Sequence, residues 1–436
     1  VARARCDQAE MELLLGRPQE ARKAVEPLVT GGDTKAAWRP LALYYHGAAC
    51  FLLGETAQAA RSLDALAPFE QPFGLHARYL RGRIHLIDGE LAEAHVAFQA
   101  VLSGYDKRKA EALELLKQPD RFRTQPWEKA HWQALAQLPP PDYVPGAAFY
   151  DACILYETGK FADALAKLQA FAKDYASSPL REEALLRAGF CQVQLKQWEE
   201  AQRTLQPLAN HPQLGPQAQF WIGKARLGLA LAADPNNPND RNAKLQAAIA
   251  ALRDAVQRTP AADAPARSLR AQMMLELADA LVYAQQHREA AALYDQLVNE
   301  KVLPPHKLQE ALERSATAWH LAGDLAASDA RITAFLQQYP QSPLLPWVLF
   351  RSAENAYRKA EQLAQQNNPA ASQAFQDAGR NYEEVVSKYP EFEKAARARL
   401  GLALCRIALK QYEEALPALE AIPAPARTQE LIVVSY

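Results

Sequence analysis

Groups that could do chemistry are present in this chain, but their spacing does not bring them together. Its nine histidines are scattered, and the nearest neighbours are His76 and His85, nine apart, with His95 after them. A helical zinc site of the protease kind needs two histidines four apart and a flanking glutamate. No pair here has that spacing. The five cysteines at 6, 50, 153, 191 and 405 share no metal-ligand spacing, and an odd count does not suit a disulfide framework. They read as small apolar packing residues. The acidic pairs Glu199-Glu200 and Glu413-Glu414 are adjacent, so their side chains diverge on a helix surface. They suit a helix N-terminus better than a general acid and base. The glycine pair Gly31-Gly32 does not lead into the Gly-Lys-Ser/Thr of a phosphate loop and reads as a turn. These observations predict no catalytic residue, no bound metal and no cofactor.

Binding chemistry is better represented. Small residues recur within apolar helical stretches at Gly47, Gly82, Ala152, Gly189 and Gly223. Three residues ahead of them stand Tyr44, Tyr79, Phe149 and Phe220, and one residue after stand Ala48, Arg83, Cys153, Phe190 and Lys224. An aromatic ladder offers a polypeptide large contact area, with two hydroxyls as polar handles. Arg83 and Lys224 add carboxylate pairing. The competing reading is that these rings pack against the next helical pair. A second aromatic group, Phe122, Trp127, Trp132, Tyr143, Phe149 and Tyr150, surrounds Pro139-Pro-Pro141. It reads either as filling around an irregular helix pair or as a docking site.

The elements that must position these residues come from a recurring step: an apolar or aromatic residue, two mostly polar residues, then a small one. It appears as Leu91-Ala-Glu-Ala94, Trp127-Glu-Lys-Ala130, Phe161-Ala-Asp-Ala164, Trp198-Glu-Glu-Ala201, Leu245-Gln-Ala-Ala248, Leu325-Ala-Ala-Ser328, Phe375-Gln-Asp-Ala378 and Tyr412-Glu-Glu-Ala415. Weaker copies end at Ala21, Ala59 and Ala290, and the intervals run from 34 to 50 residues. Such a period specifies a stacked array of helical hairpins. Apolar spacing of three and four predicts two amphipathic helices per unit, A and B. Gly82 permits close approach of two helices, and Gly89 ends the first where a left-handed residue is required.

The formal net charge is −1, from 49 basic and 50 acidic residues. Phosphate neutralisation requires a basic excess, so nucleic acid is not expected as a partner. The basic run Lys107-Arg-Lys109 reads as a solvated helix face. No stretch has the ~18 continuous apolar residues of a membrane span, so direct membrane insertion is not expected. The chain starts inside one helical pattern (Val1 to Leu15) and stops in another (Glu430 to Tyr436), which reads as an excised part of a longer protein.

These features resemble the tetratricopeptide repeat family, with its period of about 34 residues. The family's helix A small position maps onto Gly47, Gly82, Gly189 and Gly223, and its turn glycine onto Gly54, Gly89, Gly159 and Gly323. Its closing proline appears in Tyr175-Ala-Ser-Ser-Pro179, Tyr339-Pro-Gln-Ser-Pro343 and Tyr389-Pro390. The resemblance implies an all-α, right-handed α-solenoid of about eleven hairpins forming one superhelix over residues 1–436. The spacing leaves a degenerate fourth unit at 103–145, with helices near 105–117 and 127–137, and an insertion at 233–242 between the helices of the seventh. The tenth unit has long helices around Asn367-Asn-Pro369. Both insertions should then project from one edge.

In the family, helix A faces the concave groove. The implied function is a non-catalytic scaffold that binds a protein or peptide through Tyr44, Tyr79, Arg83, Phe149, Phe190, Phe220 and Lys224. Alternatives are a structural spacer in a larger protein and cell-wall or carbohydrate binding. The family's chaperone-tail clamp uses lysines and an asparagine in these positions. No asparagine follows the small residues here, so a chaperone C-terminus is not the expected ligand. The endings Phe171-Ala-Lys-Asp-Tyr-Ala-Ser-Ser-Pro179 and Phe335-Leu-Gln-Gln-Tyr-Pro-Gln-Ser-Pro343 also resemble those of bacterial envelope repeat proteins, such as outer-membrane assembly lipoproteins and Tol–Pal accessory proteins. That implies a periplasmic or envelope location rather than the cytoplasm. The oligomeric state is left open.

Overall fold

The computed structural model describes residues 1–31, 34–118, 122 and 126–423, with the backbone alone at Pro126 and Trp127. Gly32, the ring of Trp127 and the segment from Glu430 to Tyr436 therefore lie outside the described residues. Among the described residues there are 21 α-helices and no strand. The chain divides into two compact units, Val1–Leu208 and Ala209–Tyr436.

The first unit holds α1 (Ala2–Leu14), α2 (Pro18–Thr30), α3 (Arg39–Leu52), α4 (Thr56–Asp64), α5 (Gly74–Ile87), α6 (Leu91–Leu116), α7 (Pro126–Gln137), α8 (Tyr143–Glu157), α9 (Phe161–Asp174), α10 (Arg181–Gln194) and α11 (Trp198–Leu205). The second holds α12 (Gly215–Leu231), α13 (Pro238–Arg258), α14 (Ala264–Tyr283), α15 (His287–Glu300), α16 (Pro305–Leu321), α17 (Leu325–Gln338), α18 (Leu345–Gln365), α19 (Ala371–Lys388), α20 (Ala395–Ala408) and α21 (Tyr412–Glu420). Within each unit, consecutive helices pack antiparallel into hairpins and the hairpins stack, which is an α-solenoid.

The small residues mark the helix crossings. Ala21, Ala59, Ala94, Ala164, Ala201, Ala248, Ala290, Ser328 and Ala378 retain no exposed surface, and Ala415 keeps 3%. A Cβ added to Gly82 would sit 2.8 Å from the Phe98 ring, and one at Gly189 would sit 2.3 Å from Leu205. Those helix pairs thus approach more closely than any side chain at these positions would allow. At the hairpin turns Gly54, Gly89, Gly159 and Gly323 have φ between 74° and 80°. In the third hairpin Gly89 N donates to Leu86 O and Glu90 N to His85 O, satisfying carbonyls that the helix end leaves unpaired. Lys196, Gln285 and Lys410 hold the same left-handed position without glycine, at a cost of roughly 1 kcal/mol each.

The fourth unit departs from expectation. No helix starts near 105, because α6 runs unbroken for 26 residues from Leu91 to Leu116. Gly104, which looks like a helix breaker, instead lets α5 approach: a Cβ there would sit 2.6 Å from Leu75. Only α7 remains of that unit, and its small residue Ala130 is exposed, unlike the other crossing residues. Part of the insertion at 233–242 is also helical. α12 ends at Leu231, and α13 starts at Pro238 behind Asn237, whose side chain accepts from Asp240 N.

Candidate functional site

In the first unit, helix A of the second, third and fifth hairpins (α3, α5 and α8) lie side by side. Aromatic side chains join them. Tyr44 on α3 stacks on Phe73 with centroids 4.6 Å apart, and its hydroxyl is hydrogen-bonded to His76 Nδ1 on α5 at 2.5 Å. His76 stacks on Tyr143 of α8, and Tyr79 lies 6.5 Å from both Tyr143 and Tyr150. Burial pushes the Tyr44 hydroxyl up to about 12 and raises Tyr79, while it lowers His76. Tyr44, Tyr79 and His76 are therefore uncharged at neutral pH, and the charge stacked among these rings comes from one residue.

That residue is Arg83. Its guanidinium lies 4.0 Å from the Tyr150 ring centroid, 5.6 Å from Phe51 and 6.0 Å from Tyr79, so it bridges α3 and α8 through π faces. One of its five N–H donors goes to the Tyr79 hydroxyl at 3.2 Å. Among the described residues no carboxylate pairs with it.

Other expected ladder members sit differently. Phe149 is only 3% exposed and packs on Phe171, and Phe220 is 7% exposed within the core of the second unit. Burial removes both from any partner surface, a correction to the expected ladder. Phe190 is half-buried against Tyr156 and Phe161 at 4.8 and 5.6 Å. Lys224 lies near Phe220 and Trp221, but its Nζ is 2.5 Å from Glu276 Oε1 on α14. The structure thus unites Tyr44, Tyr79 and Arg83 and leaves the others out. It adds Phe51, Phe73, His76 and, from the second aromatic group, Tyr143 and Tyr150.

Polar clusters that the spacing did not single out hold the hairpins together. Asp151 on α8 is 1% exposed and accepts from Gln99 and Lys167, with His95 Nδ1 at 2.6 Å. In the second unit Arg314 grips both oxygens of Asp279 at 2.9 and 2.7 Å, and Arg397 reaches Glu354 at 3.2 Å. Burial would raise Asp295, but hydrogen bonds from Arg331, Ser315 and Trp319 outweigh it and hold this carboxyl below its ordinary range.

All five cysteines are buried, and burial pushes the Cys50 and Cys191 thiols up to about 11 and those of Cys153 and Cys405 to about 12. They stay protonated and poorly nucleophilic at neutral pH. Among the described residues no group of three or more His, Cys, Asp or Glu side chains could hold a metal. No helix among them is long and apolar enough to cross a membrane.

Two tetratricopeptide repeat family models match the sequence, at residues 152–213 and 369–432. The match to the repeat is confined to these two stretches. A search of curated proteins finds no match. Among solved structures it is similar to TTC0263, a thermophilic TPR protein of Thermus thermophilus, at 18% identity, covering 48% of this chain and 97% of that one, TM-score 0.33. It is also similar to a tetratricopeptide repeat protein from Parabacteroides merdae, at 14% identity over 84% of this chain and 98% of the other, TM-score 0.33. A third likeness is to a monomeric mutant of IFIT1 with Gppp-AAAA, at 15% identity over 87% and 75% of the two chains, TM-score 0.34. Tetratricopeptide repeat proteins generally mediate protein–protein interactions and are typically non-catalytic scaffolds.

Proposed function

We propose that this protein is a non-catalytic interaction module whose first unit captures a segment of a partner polypeptide on the face of α3, α5 and α8. The observation that carries this reading is Arg83: a guanidinium caged by Phe51, Tyr79 and Tyr150, with donors unspent and no carboxylate beside it among the described residues. A charge held in place by rings but left without a counter-ion is poised for a ligand. Polypeptide is favoured over nucleic acid because the net charge is −1 and a single arginine neutralises little phosphate. Carbohydrate is disfavoured because Tyr44 is already stacked on Phe73 and His76 on Tyr143. The comparisons lend no support to a location in the bacterial envelope, and none is proposed.

The second unit favours the spacer reading for that part of the chain. Its cation at the Arg83 register, Lys224, is neutralised by Glu276, and its ladder ring Phe220 is buried.

Selection of random displayed peptides on the full chain tests the assignment. The double variant Tyr79→Ala, Arg83→Ala should lose the enriched peptides, while Lys224→Ala, Glu276→Ala should keep them. Undiminished enrichment on the first variant, with its helical circular dichroism intact, would remove the site from this face.

A further inference from the structure

Tyr79, Arg83 and Ile87 stand four residues apart on α5 and therefore form one stripe along the helix. Its end beyond Arg83 is apolar and open. Ile87 is 58% exposed, and Leu52, at the same repeat position on α3, is 60% exposed. Leu14, two residues before the turn glycine of the first hairpin as Leu52 and Ile87 are in theirs, is 76% exposed. Ring surface thus lies on one side of the arginine and bare aliphatic surface on the other.

Along an α-helix, four residues advance about 6 Å. Along an extended chain, two residues advance about 6.7 Å, and alternate side chains share a face. An extended segment lying along α5 would therefore present every second side chain to Tyr79, Arg83 and Ile87 in turn. Resting on the binding face proposed above, we infer that the ligand is an extended segment of the pattern apolar–x–acidic–x–aliphatic, with an internal Asp or Glu side chain on Arg83. The acid is internal rather than a terminal carboxylate because contact surface continues on both sides of the guanidinium.

The physical reason for acid selection is the state of Arg83. Contacts with the Tyr150, Phe51 and Tyr79 rings restrain the guanidinium, and four of its five donors are unspent among the described residues. A pre-positioned fork gains charge-assisted hydrogen bonds to a carboxylate at little ordering cost. Replacing that carboxylate by an amide forfeits roughly ten-fold in affinity.

The test is a display library of C-terminally capped seven-residue segments, with leucine at the second and sixth positions and all twenty residues at the fourth, selected on the full chain. Wild type should enrich Asp and Glu over Asn and Gln at the fourth position by roughly ten-fold. Arg83→Gln should abolish that preference, and Arg83→Glu should invert it toward Lys and Arg. Circular dichroism of each variant checks folding, and Arg83→Lys, keeping charge without the planar fork, should retain part of the preference. Segments bound with no acid preference, or a preference unchanged in Arg83→Glu, would overturn the inference and leave the binding face standing. If this library and the random one both enrich nothing, the inference and the binding face fall together.

Discussion

The two units solve one packing problem with different side chains. In the first, the A helices α3, α5 and α8 are joined by rings: Tyr44 to His76, His76 to Tyr143, Tyr79 to Tyr150, and Arg83 over Tyr150. In the second, they are joined by ions: Lys224 to Glu276, Asp279 to Arg314, Glu354 to Arg397. Ring contacts hold helices without consuming charge, so Arg83 keeps four of its five donors unspent among the described residues. Ion pairs consume the charges they use. The same backbone arrangement can thus leave the cation after the small residue ion-paired, as Lys224 is, or without a carboxylate among the described residues, as Arg83 is.

The largest expected effect tests the ring side of this contrast. Phe98, fully buried, sits 6.1 Å from Tyr79 and 6.0 Å from Tyr150 and fills the space that Gly82 leaves. Phe98→Ala should cost roughly 3–5 kcal/mol, seen as a lower urea midpoint. It should also weaken peptide capture, because the rings caging Arg83 lose their support. A loss in stability without any loss in capture would separate the cage from the core.

The next effect tests the ionic side through pH. His320 is 2% exposed, hydrogen-bonded to Asn355 Oδ1 at 2.6 Å, and faces Glu354, Arg351, Arg358 and Arg397. Burial first, then the nearby arginines, lower it from 6.5 to about 4. The unfolded chain takes up the proton near pH 6.5 and the folded chain only near 4, so acidification through that window favours unfolding. Stability should fall by about 3 kcal/mol between those limits and stay level above them. His46 and His76 in the first unit are also lowered by burial and add to the slope in the same direction. In His320→Gln the His320 part should vanish, so its melting temperature should approach that of wild type as pH falls.

The two arginines compare the units directly. Arg314→Met strands Asp279, whose pKa burial already raises, with only the Tyr294 hydroxyl. The cost should be about 1–3 kcal/mol, shrinking in high salt because Arg314 is 36% exposed. Arg83→Met removes only ring contacts and one hydrogen bond, worth about 1 kcal/mol or less and insensitive to salt. Equal and equally salt-dependent losses would mean that Arg83 has a counter-ion, and the contrast would collapse.

Much of the hairpin array was legible in sequence because a crossing leaves room for only a small residue and a tight turn needs a left-handed one. Ala94 with Gly82 and Gly89 illustrates both. The site was less legible. A ring three residues ahead of the small position lies between neighbouring hairpins, and only depth separates a contact surface from a core: Tyr79 is half-buried and Phe149 wholly so. The stripe Tyr79, Arg83, Ile87 was readable at four-residue spacing, but not the absence of a carboxylate facing it among the described residues. Asp151 was invisible because its partners come from residues 52 and 56 positions before it as well as 16 after it. The long α6 was hidden by Gly104, whose role as a close-approach residue depends on Leu75 of another helix.

The smallest effects concern two glycines and differ in sign. In the first unit a Cβ at Gly82 would meet the Phe98 ring at 2.8 Å and Ala97 Cβ at 3.1 Å. Phe98 is fully buried and has nowhere to move, so Gly82→Ala should cost about 1–2 kcal/mol net of the better helix propensity of alanine. In the second unit, Gly379 is a helix-interior glycine of α19 with more space. An added Cβ would lie 3.5 Å from Cys405 Cβ and 3.8 Å from Leu402, which is ordinary contact. Gly379→Ala should therefore raise stability by about 0.5–1 kcal/mol, from helix propensity and the reduced freedom of the unfolded chain. Melting temperatures of the two variants should move in opposite directions. If both fell, α19 and α20 would be packed as tightly as the ring-joined hairpins, and the difference between the units would lie in charge alone.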